Sequence, residues 1–126
     1  MESVPKLGRR ELEIMNVIWD LGEATVRQVR QRLGTGAYTT VLTMMRALEE
    51  HKGVLTHVER GKAYLYRPTV TREEVSRSYI ADLHDLVFGG SLPLLVHNLL
   101  GYEPPTPEDL EALKAIIAEE EKRVRR

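Results

Sequence analysis

Side chains suited to recognition by hydrogen bonding gather in two short stretches of the chain. The first is rich in hydroxyls and ends in a cation, and it comprises Tyr38, Thr39, Thr40, Thr43 and Arg46. The second carries Arg60 and Lys62 on either side of Gly61. Threonine and arginine bind base edges and phosphates, and a threonine methyl can contact the methyl group of thymine. These residue types indicate recognition of a polyanion rather than bond-making chemistry.

The sequence shows no spacing typical of a catalytic or metal site. Four histidines are scattered along the chain without the HExxH spacing of a zinc site. Asp82, His84 and Asp85 are close in sequence, but helical positions two apart point in different directions, which favours a solvated charged surface. The absence of cysteine excludes disulfides, thiolate metal ligands and cysteine nucleophiles. We therefore predict no enzyme activity, no cofactor and no metal.

Apolar periodicity places the hydroxyl-rich stretch at the start of the third of three short helices. Apolar residues recur at steps of three and four over 9–21 and 26–33, and a glycine follows each of these helices. The third helix is predicted to begin near Tyr38 and to end before Gly53. Its apolar stripe is formed by Val41, Met44 or Met45, and Leu48.

The pattern then changes to that of a β-hairpin. Residues 54–60 are rich in β-formers, and Gly61 and Lys62 can turn the chain. Residues 63–67 alternate, with Tyr64 and Tyr66 on one face and Leu65 on the other. The sequence thus predicts a mainly α fold with a small hairpin, a winged helix-turn-helix over residues 1–69. In such a fold the third helix enters the major groove of DNA and its first residues reach the bases.

The charge distribution agrees with a nucleic-acid partner. Residues 1–69 hold eleven Lys and Arg against eight Asp and Glu, whereas residues 70–126 hold seven against eleven. Arg9 and Arg10 add further cations that could contact the DNA backbone. The alternative is a winged-helix module that binds only proteins. Salt distinguishes the two, because phosphate contacts release counterions and weaken steeply as salt rises.

The remaining residues, 70–126, are predicted to form a helical dimerisation region. Isolated helices cannot bury such apolar faces alone, so a two-fold partner is favoured over folding back onto the winged helix. The charged end, 119–126, is expected to fray. The shared core is predicted from Val75, Tyr79, Leu83, Leu86, Leu94, Leu95, Leu110, Leu113 and Ile117.

No segment is typical of export or of membrane insertion. The first ten residues are polar and charged, unlike a signal peptide. No apolar run approaches the ~20 residues that cross a bilayer, and the most apolar stretch, 92–100, contains Pro93, His97 and Asn98. We expect a cytoplasmic protein without membrane insertion.

An ordered set of segments resembles the penicillinase-repressor family (BlaI/MecI) across about residues 7–118. The segments are ELEIMNVIW (11–19), ATVRQV (24–29), AYTTVLTMMRALEEHKG (37–53), GKAYLYRP (61–68) and FGGS (88–91). The resemblance implies homodimers that bind inverted-repeat operators, often ahead of β-lactamase or related resistance genes. It also implies that Thr39, Thr40 and Thr43 contact bases and backbone. Ala47 and His51 depart from the family pattern beside these positions, which affects the base preference.

The resemblance further implies how such a repressor is released. In induced members a membrane-bound sensor metallopeptidase, or a protease downstream of it, brings about cleavage in the dimerisation region. The corresponding bond in this chain is Asn98–Leu99. The copper-responsive branch of the family uses C-terminal cysteines, and this chain has none, so that route is excluded.

Overall fold

The computed structural model describes residues 4–125, which form six α-helices, a two-stranded sheet and a π-helical segment. The α-helices are α1 (Arg9–Leu21), α2 (Val26–Leu33), α3 (Tyr38–Glu50), α4 (Arg72–Asp82), α5 (Leu92–Tyr102) and α6 (Pro107–Val124). The strands are β1 (Leu55–Arg60) and β2 (Ala63–Pro68), and the π-helical segment is Leu83–Val87. The chain divides into two compact units, the first ending at Ala81 and the second beginning at Asp82.

The first unit is held together by one apolar core to which each of the first three helices gives one face. Ile14, Met15 and Ile18 of α1 are fully buried, as is Val29 of α2. On α3 the buried stripe is Val41, Met45 and Leu48. The three- and four-residue steps place these side chains on one side of each helix. Because Met45 takes the core position, the opposite side of α3 is left facing outward.

The hairpin closes this core. Its strands are antiparallel, with His57 opposite Tyr66 and Arg60 opposite Ala63. Tyr66 exchanges two backbone hydrogen bonds with Ala24, of 2.8 and 2.9 Å, so the loop before α2 pairs with β2 through an isolated antiparallel β-bridge. The side chain of Tyr66 is 1% exposed. The wing is therefore fixed to the helices at its base, while its tip at Gly61 lies in solvent.

A partly buried ion pair connects the start of α1 to the segment after α3. The Oε1 atom of Glu11 accepts hydrogen bonds from the Gly8 N–H at 2.7 Å and from Lys52 Nζ at 2.9 Å. Burial opposes ionisation of this carboxyl, but the bonds from Gly8 and Lys52 outweigh burial and lower the pKa of Glu11 below its ordinary value of 4.5.

Replacing Glu11 with Gln is expected to lower the free energy of unfolding by about 1–2 kcal/mol at neutral pH, since a charged acceptor of two bonds is lost. Because the folded-state pKa is depressed, this stabilisation is present above pH 4.5 and disappears as the pH falls through the folded value. Urea unfolding of both proteins at pH 7 and pH 3 measures the difference. Glu13→Gln, at an exposed site 3.8 Å from Arg10, is the control. A pH-independent Glu11 effect would contradict the assignment.

The predicted boundary between residues 69 and 70 is not where the contacts divide the chain. Val75 is 3% exposed in the core of the first unit, and Tyr79 packs against that core. The Tyr79 hydroxyl also accepts a bond from the Leu7 N–H at 2.7 Å and donates one to the Leu7 carbonyl. Both residues were predicted to serve dimerisation. Their side chains are instead used within the winged-helix unit, so the boundary moves to 81/82.

The second unit consists of the π-helical segment, α5 and α6. Ser91 accepts the Leu94 N–H and caps α5, and Thr106 and Asp109 form a reciprocal capping box that begins α6. The helix continues to Val124, so the expectation of fraying is wrong for residues 119–124. The charges there pair at i, i+3, as Lys122 does with Glu119, and they support the helix instead of disrupting it.

The second unit leaves most of its apolar residues in solvent. Leu95, at 8% exposed, is the buried apolar residue among those described after Ala81. Leu113 is half-buried. The other predicted dimerisation residues of this unit are exposed, namely Leu83, Leu86, Leu94, Leu110 and Ile117. Between residues 4 and 125, no single helix is long and apolar enough to cross a membrane; the stretches Arg72–Val87 and Leu92–Tyr102 qualify only as a bent pair, on length and composition.

Candidate nucleic-acid interface

The outward side of α3 carries the hydroxyl-rich stretch as predicted. The helix begins at Tyr38 after an extended Ala37 and is 13 residues long. Val41, Met45 and Leu48 occupy the inward face of the helix, so its polar residues lie on the opposite face. The five predicted contact residues on this helix are therefore all exposed: Tyr38, Thr39, Thr40, Thr43 and Arg46.

The threonines differ in what they can offer a ligand. Thr43 donates its hydroxyl hydrogen to the Thr39 carbonyl at 2.9 Å, one turn back along the helix. Its methyl group and an oxygen lone pair remain for outside contacts. Within the part of the chain that the structure describes, the Thr39 and Thr40 hydroxyls have no hydrogen-bond partner. These two can both donate and accept.

A cationic cleft adjoins this side of α3. Its volume is about 730 Å³, and it is bounded by the start of α2, by α3 and by the hairpin. Its lining contains no acidic residue, and three tyrosines (Tyr38, Tyr64 and Tyr66) share it with the cations. The four cations are Arg27, Arg46, Arg60 and Lys62, and none of them has an ion pair within residues 4–125. Uncompensated positive charge with aromatic walls attracts phosphate and steers a polyanion towards it.

A set of side-chain contacts that the sequence did not indicate fixes the hairpin relative to α3. Nδ1 of His57 on β1 lies 2.7 Å from Oε1 of Glu49 on α3. The His57 ring stacks on Tyr64, with centroids 4.3 Å apart and planes inclined by 17°. Beside them, burial and the Glu49 charge raise the pKa of Tyr66. Only the strand register, which pairs His57 with Tyr66, could have suggested this arrangement from the sequence.

The two arginines predicted at the start of α1 have different surroundings. Arg9 is exposed and makes no hydrogen bond or ion pair inside the described range. Arg10 is half-buried, and its Nη2 donates to the Thr35 carbonyl at 2.9 Å. One donor of Arg10 is thus used within the protein, and its contact with the DNA backbone stays a prediction. Across residues 4–125 no group of three or more metal-binding side chains is assembled.

Comparison with known proteins agrees with this geometry. The sequence model described as penicillinase repressor matches residues 7–119, nearly the whole chain. The chain belongs to the penicillinase repressor family. The penicillinase repressor of Bacillus licheniformis is 26% identical over 126 residues, covering 98% of both chains.

Two solved structures extend the comparison to the fold. The solution structure of the DNA-binding domain of the repressor BlaI matches with 28% identity and a TM-score of 0.50. The B. licheniformis BlaI monomeric form in complex with the blaP half-operator matches with 30% identity and the same TM-score. Each match covers 59% of this chain and 93% of the other.

Family membership confirms the predicted family, the winged helix-turn-helix fold and a DNA-binding repressor function. Penicillinase repressors are transcriptional regulators and not enzymes, which confirms that prediction too. A winged helix that binds only proteins is no longer favoured.

Proposed function

We propose that this repressor binds an inverted-repeat operator as a homodimer, with α3 of each subunit in one major groove. The observation that supports this most directly is the exposed hydroxyl face of α3 beside a cleft of four unpaired cations. The related BlaI protein was solved in monomeric form on a half-operator. That complex supports one subunit on each half of the operator. Two-fold symmetry would separate the two α3 helices by about one DNA turn, ~34 Å, or a multiple of it.

Within each half-site the residues divide into those that contact bases and those that contact phosphates. Thr39, Thr40 and Thr43 contact base edges, since they lie on the first two turns of the helix that enters the groove. Tyr38 and Arg46 flank them. Arg60 and Lys62 at the wing tip, together with Arg9, neutralise phosphates. The regulated genes are then those of β-lactamase or related resistance, and the site of action is the cytoplasm.

Substitutions at Thr43 and Lys62 distinguish base contacts from phosphate contacts. Thr43→Ala removes the free lone pair and the methyl group, so discrimination at one base position should fall by ~1–3 kcal/mol. Thr43→Val keeps that methyl group and replaces the hydroxyl with a second methyl group. Lys62→Ala should instead weaken all sequences alike and reduce the salt slope by about 0.9 per subunit. Binding is measured on a duplex that the wild-type protein selects from a random pool, against a scrambled duplex. Unchanged discrimination in Thr43→Ala would show that another face of α3 reads the bases.

The homodimer is supported by the apolar surface of the second unit. Leu86 is 77% exposed and Ile117 is 59% exposed, values rarely tolerated for so many large apolar side chains in a monomer. Leu83, Leu94, Leu110 and the half-buried Leu113 complete the surface that we assign to the partner, and the buried Leu95 lies beneath it.

Release by proteolysis is proposed at Asn98–Leu99. The bond lies within α5, where the Asn98 side chain donates to the Leu94 carbonyl at 2.8 Å, and Leu99 is 56% exposed. Cleavage there would cut α5 and remove part of the proposed dimer surface. The agent would be a membrane-bound sensor metallopeptidase or a protease downstream of it. Mass spectrometry of the repressor from induced cells tests this, and a chain that stays intact under induction would exclude it.

A further inference from the structure

Two arginines from outside α3 hold the turn that leads into it. Arg10 of α1 donates its Nη2 to the Thr35 carbonyl at 2.9 Å. Arg30 of α2 donates its Nε to the Gly36 carbonyl at 3.2 Å. These are consecutive carbonyls immediately before α3. Two separate helices are thereby joined to the same turn by charge-assisted hydrogen bonds.

The start of α3 has no side-chain cap of its own. Its N-cap residue is Ala37, which carries no acceptor, whereas Thr25 and Thr106 cap α2 and α6 with their hydroxyls. The direction in which α3 leaves the turn is therefore not fixed by a local cap. The two arginine bonds are the side-chain hydrogen bonds that the turn makes with α1 and α2 among the described residues.

Gly36 shows how closely this turn lies against the Arg10 guanidinium. Its φ is +91°, a conformation that favours glycine. A Cβ atom built on Gly36 would lie 2.7 Å from Arg10 Nη2, so a methyl group there would displace the guanidinium from its place beside the turn. Gly34, at the other end of the turn, also has a positive φ of +74° but has nothing within 4 Å of such an atom.

We infer that Arg10 and Arg30 are positioning residues for α3. They act by holding residues 34–37 in place and not by binding phosphate. The inference depends on the proposed role of α3 in reading the operator. The Arg10 guanidinium also lies 3.8 Å from Glu13, which offsets part of its charge locally. A small displacement of the turn moves Thr39 and Thr40, which follow it within one helical turn, relative to the bases.

Salt dependence distinguishes positioning from phosphate contact. Arg10→Gln and Arg30→Gln are each compared with Arg9→Gln, the neighbouring exposed arginine without a partner within residues 4–125. Dissociation constants are measured across a salt series on the selected duplex and on a scrambled duplex of equal length. Positioning predicts that the ratio of selected to scrambled affinity falls ~10-fold, as for one misread base pair, with an unchanged salt slope. An equal loss on both duplexes, with a slope smaller by about 0.9 per subunit, overturns the inference.

Glycine substitutions test the contact itself. Gly36→Ala should cost less operator affinity in an Arg10→Gln background than in wild type, because the bond from Arg10 to the Thr35 carbonyl, which the added methyl group would break, is already absent. Gly34→Ala imposes a similar φ strain without displacing Arg10, so its effect should simply add to that of Arg10→Gln. Additive effects at both glycines would refute the role of Arg10 in the turn.

A measurement without DNA separates this inference from the proposed function. The Val41 amide makes the first hydrogen bond inside α3, to Ala37 at 3.1 Å. In the free protein its hydrogen exchange should accelerate several-fold in Arg10→Gln and stay unchanged in Arg9→Gln. Unchanged exchange in Arg10→Gln refutes the positioning role even where DNA binding stands. Failure of the wild type to select any duplex refutes the function, while the exchange result still decides the role of Arg10.

Discussion

Ile117→Glu is expected to convert the repressor into a monomer and to weaken its binding to a two-half-site duplex by ~10²–10⁴-fold, the range by which linking two sites raises affinity. Ile117 is 59% exposed in the single chain, so a glutamate there is solvated and the protomer keeps its fold. Against a second copy the same charge would be buried without a partner, which is strongly destabilising to an interface. Sedimentation and operator binding measure the two effects.

Ala115→Glu supplies the matched control. It adds the same charge to the same exposed helix, but two residues away from Ile117 and thus about 200° around α6 from it. By helical spacing Ala115 lies away from the seam of Leu110, Leu113 and Ile117. It should remain dimeric with operator affinity close to that of the wild type. An Ile117→Glu protein that still sediments as a dimer, or an equal effect of both substitutions, would remove the basis for the proposed interface.

The first unit could be predicted from the sequence because its signals are local. Apolar steps of three and four set α1 and α2, and Gly22 and Gly34 end them at the predicted positions. The outward direction of Thr39 and Thr40 followed once the opposite stripe was assigned to the core. Periodicity left Met44 and Met45 as equal candidates, and only packing against the other helices selects Met45, which is fully buried.

The features that the sequence does not reveal are those that depend on tertiary neighbours. Arg9 and Arg10 are adjacent cations with the same local pattern, yet only Arg10 reaches Thr35, 25 residues away. Val75 and Tyr79 were predicted to lie in the dimerisation region because α4 was treated as one unit with the following helices. In the structure α4 packs on the winged helix, and a π-helical segment follows it from Leu83. No spacing in the sequence signals either event.

The two tyrosines of β2 show how far a correct alternation goes. Tyr64 and Tyr66 were predicted on one face of the hairpin with Leu65 on the other, and both line the same cleft. Their burial differs, because Tyr66 is 1% exposed while Tyr64 is 41% exposed. Alternation fixes the face of a strand, whereas burial depends on the distance from the helices that the strand packs against. Tyr66 lies at the base of the wing and Tyr64 lies nearer its tip.

This difference predicts the largest stability effect of any single substitution considered. Tyr66→Ala should lower the free energy of unfolding by about 3–5 kcal/mol, since it removes a fully buried aromatic ring from the core that α1, α2 and α3 share. Tyr64→Ala removes an equal ring from a half-exposed site and should cost less than about 1 kcal/mol. Denaturant unfolding compares the free energies of the two variants, with one common slope of free energy against denaturant concentration.

Tyr66→Phe shows which part of the residue matters. The backbone bonds to Ala24 are retained in every variant, so any loss in Tyr66→Ala is a property of the side chain. Phenylalanine keeps the ring against the core and removes only the hydroxyl, and it should retain nearly all of the stability. A small effect of Tyr66→Ala would mean that the hairpin is not part of the folding core. The position of Arg60 and Lys62 relative to α3 would then depend on the backbone bonds to Ala24 and on the contact between His57 and Glu49.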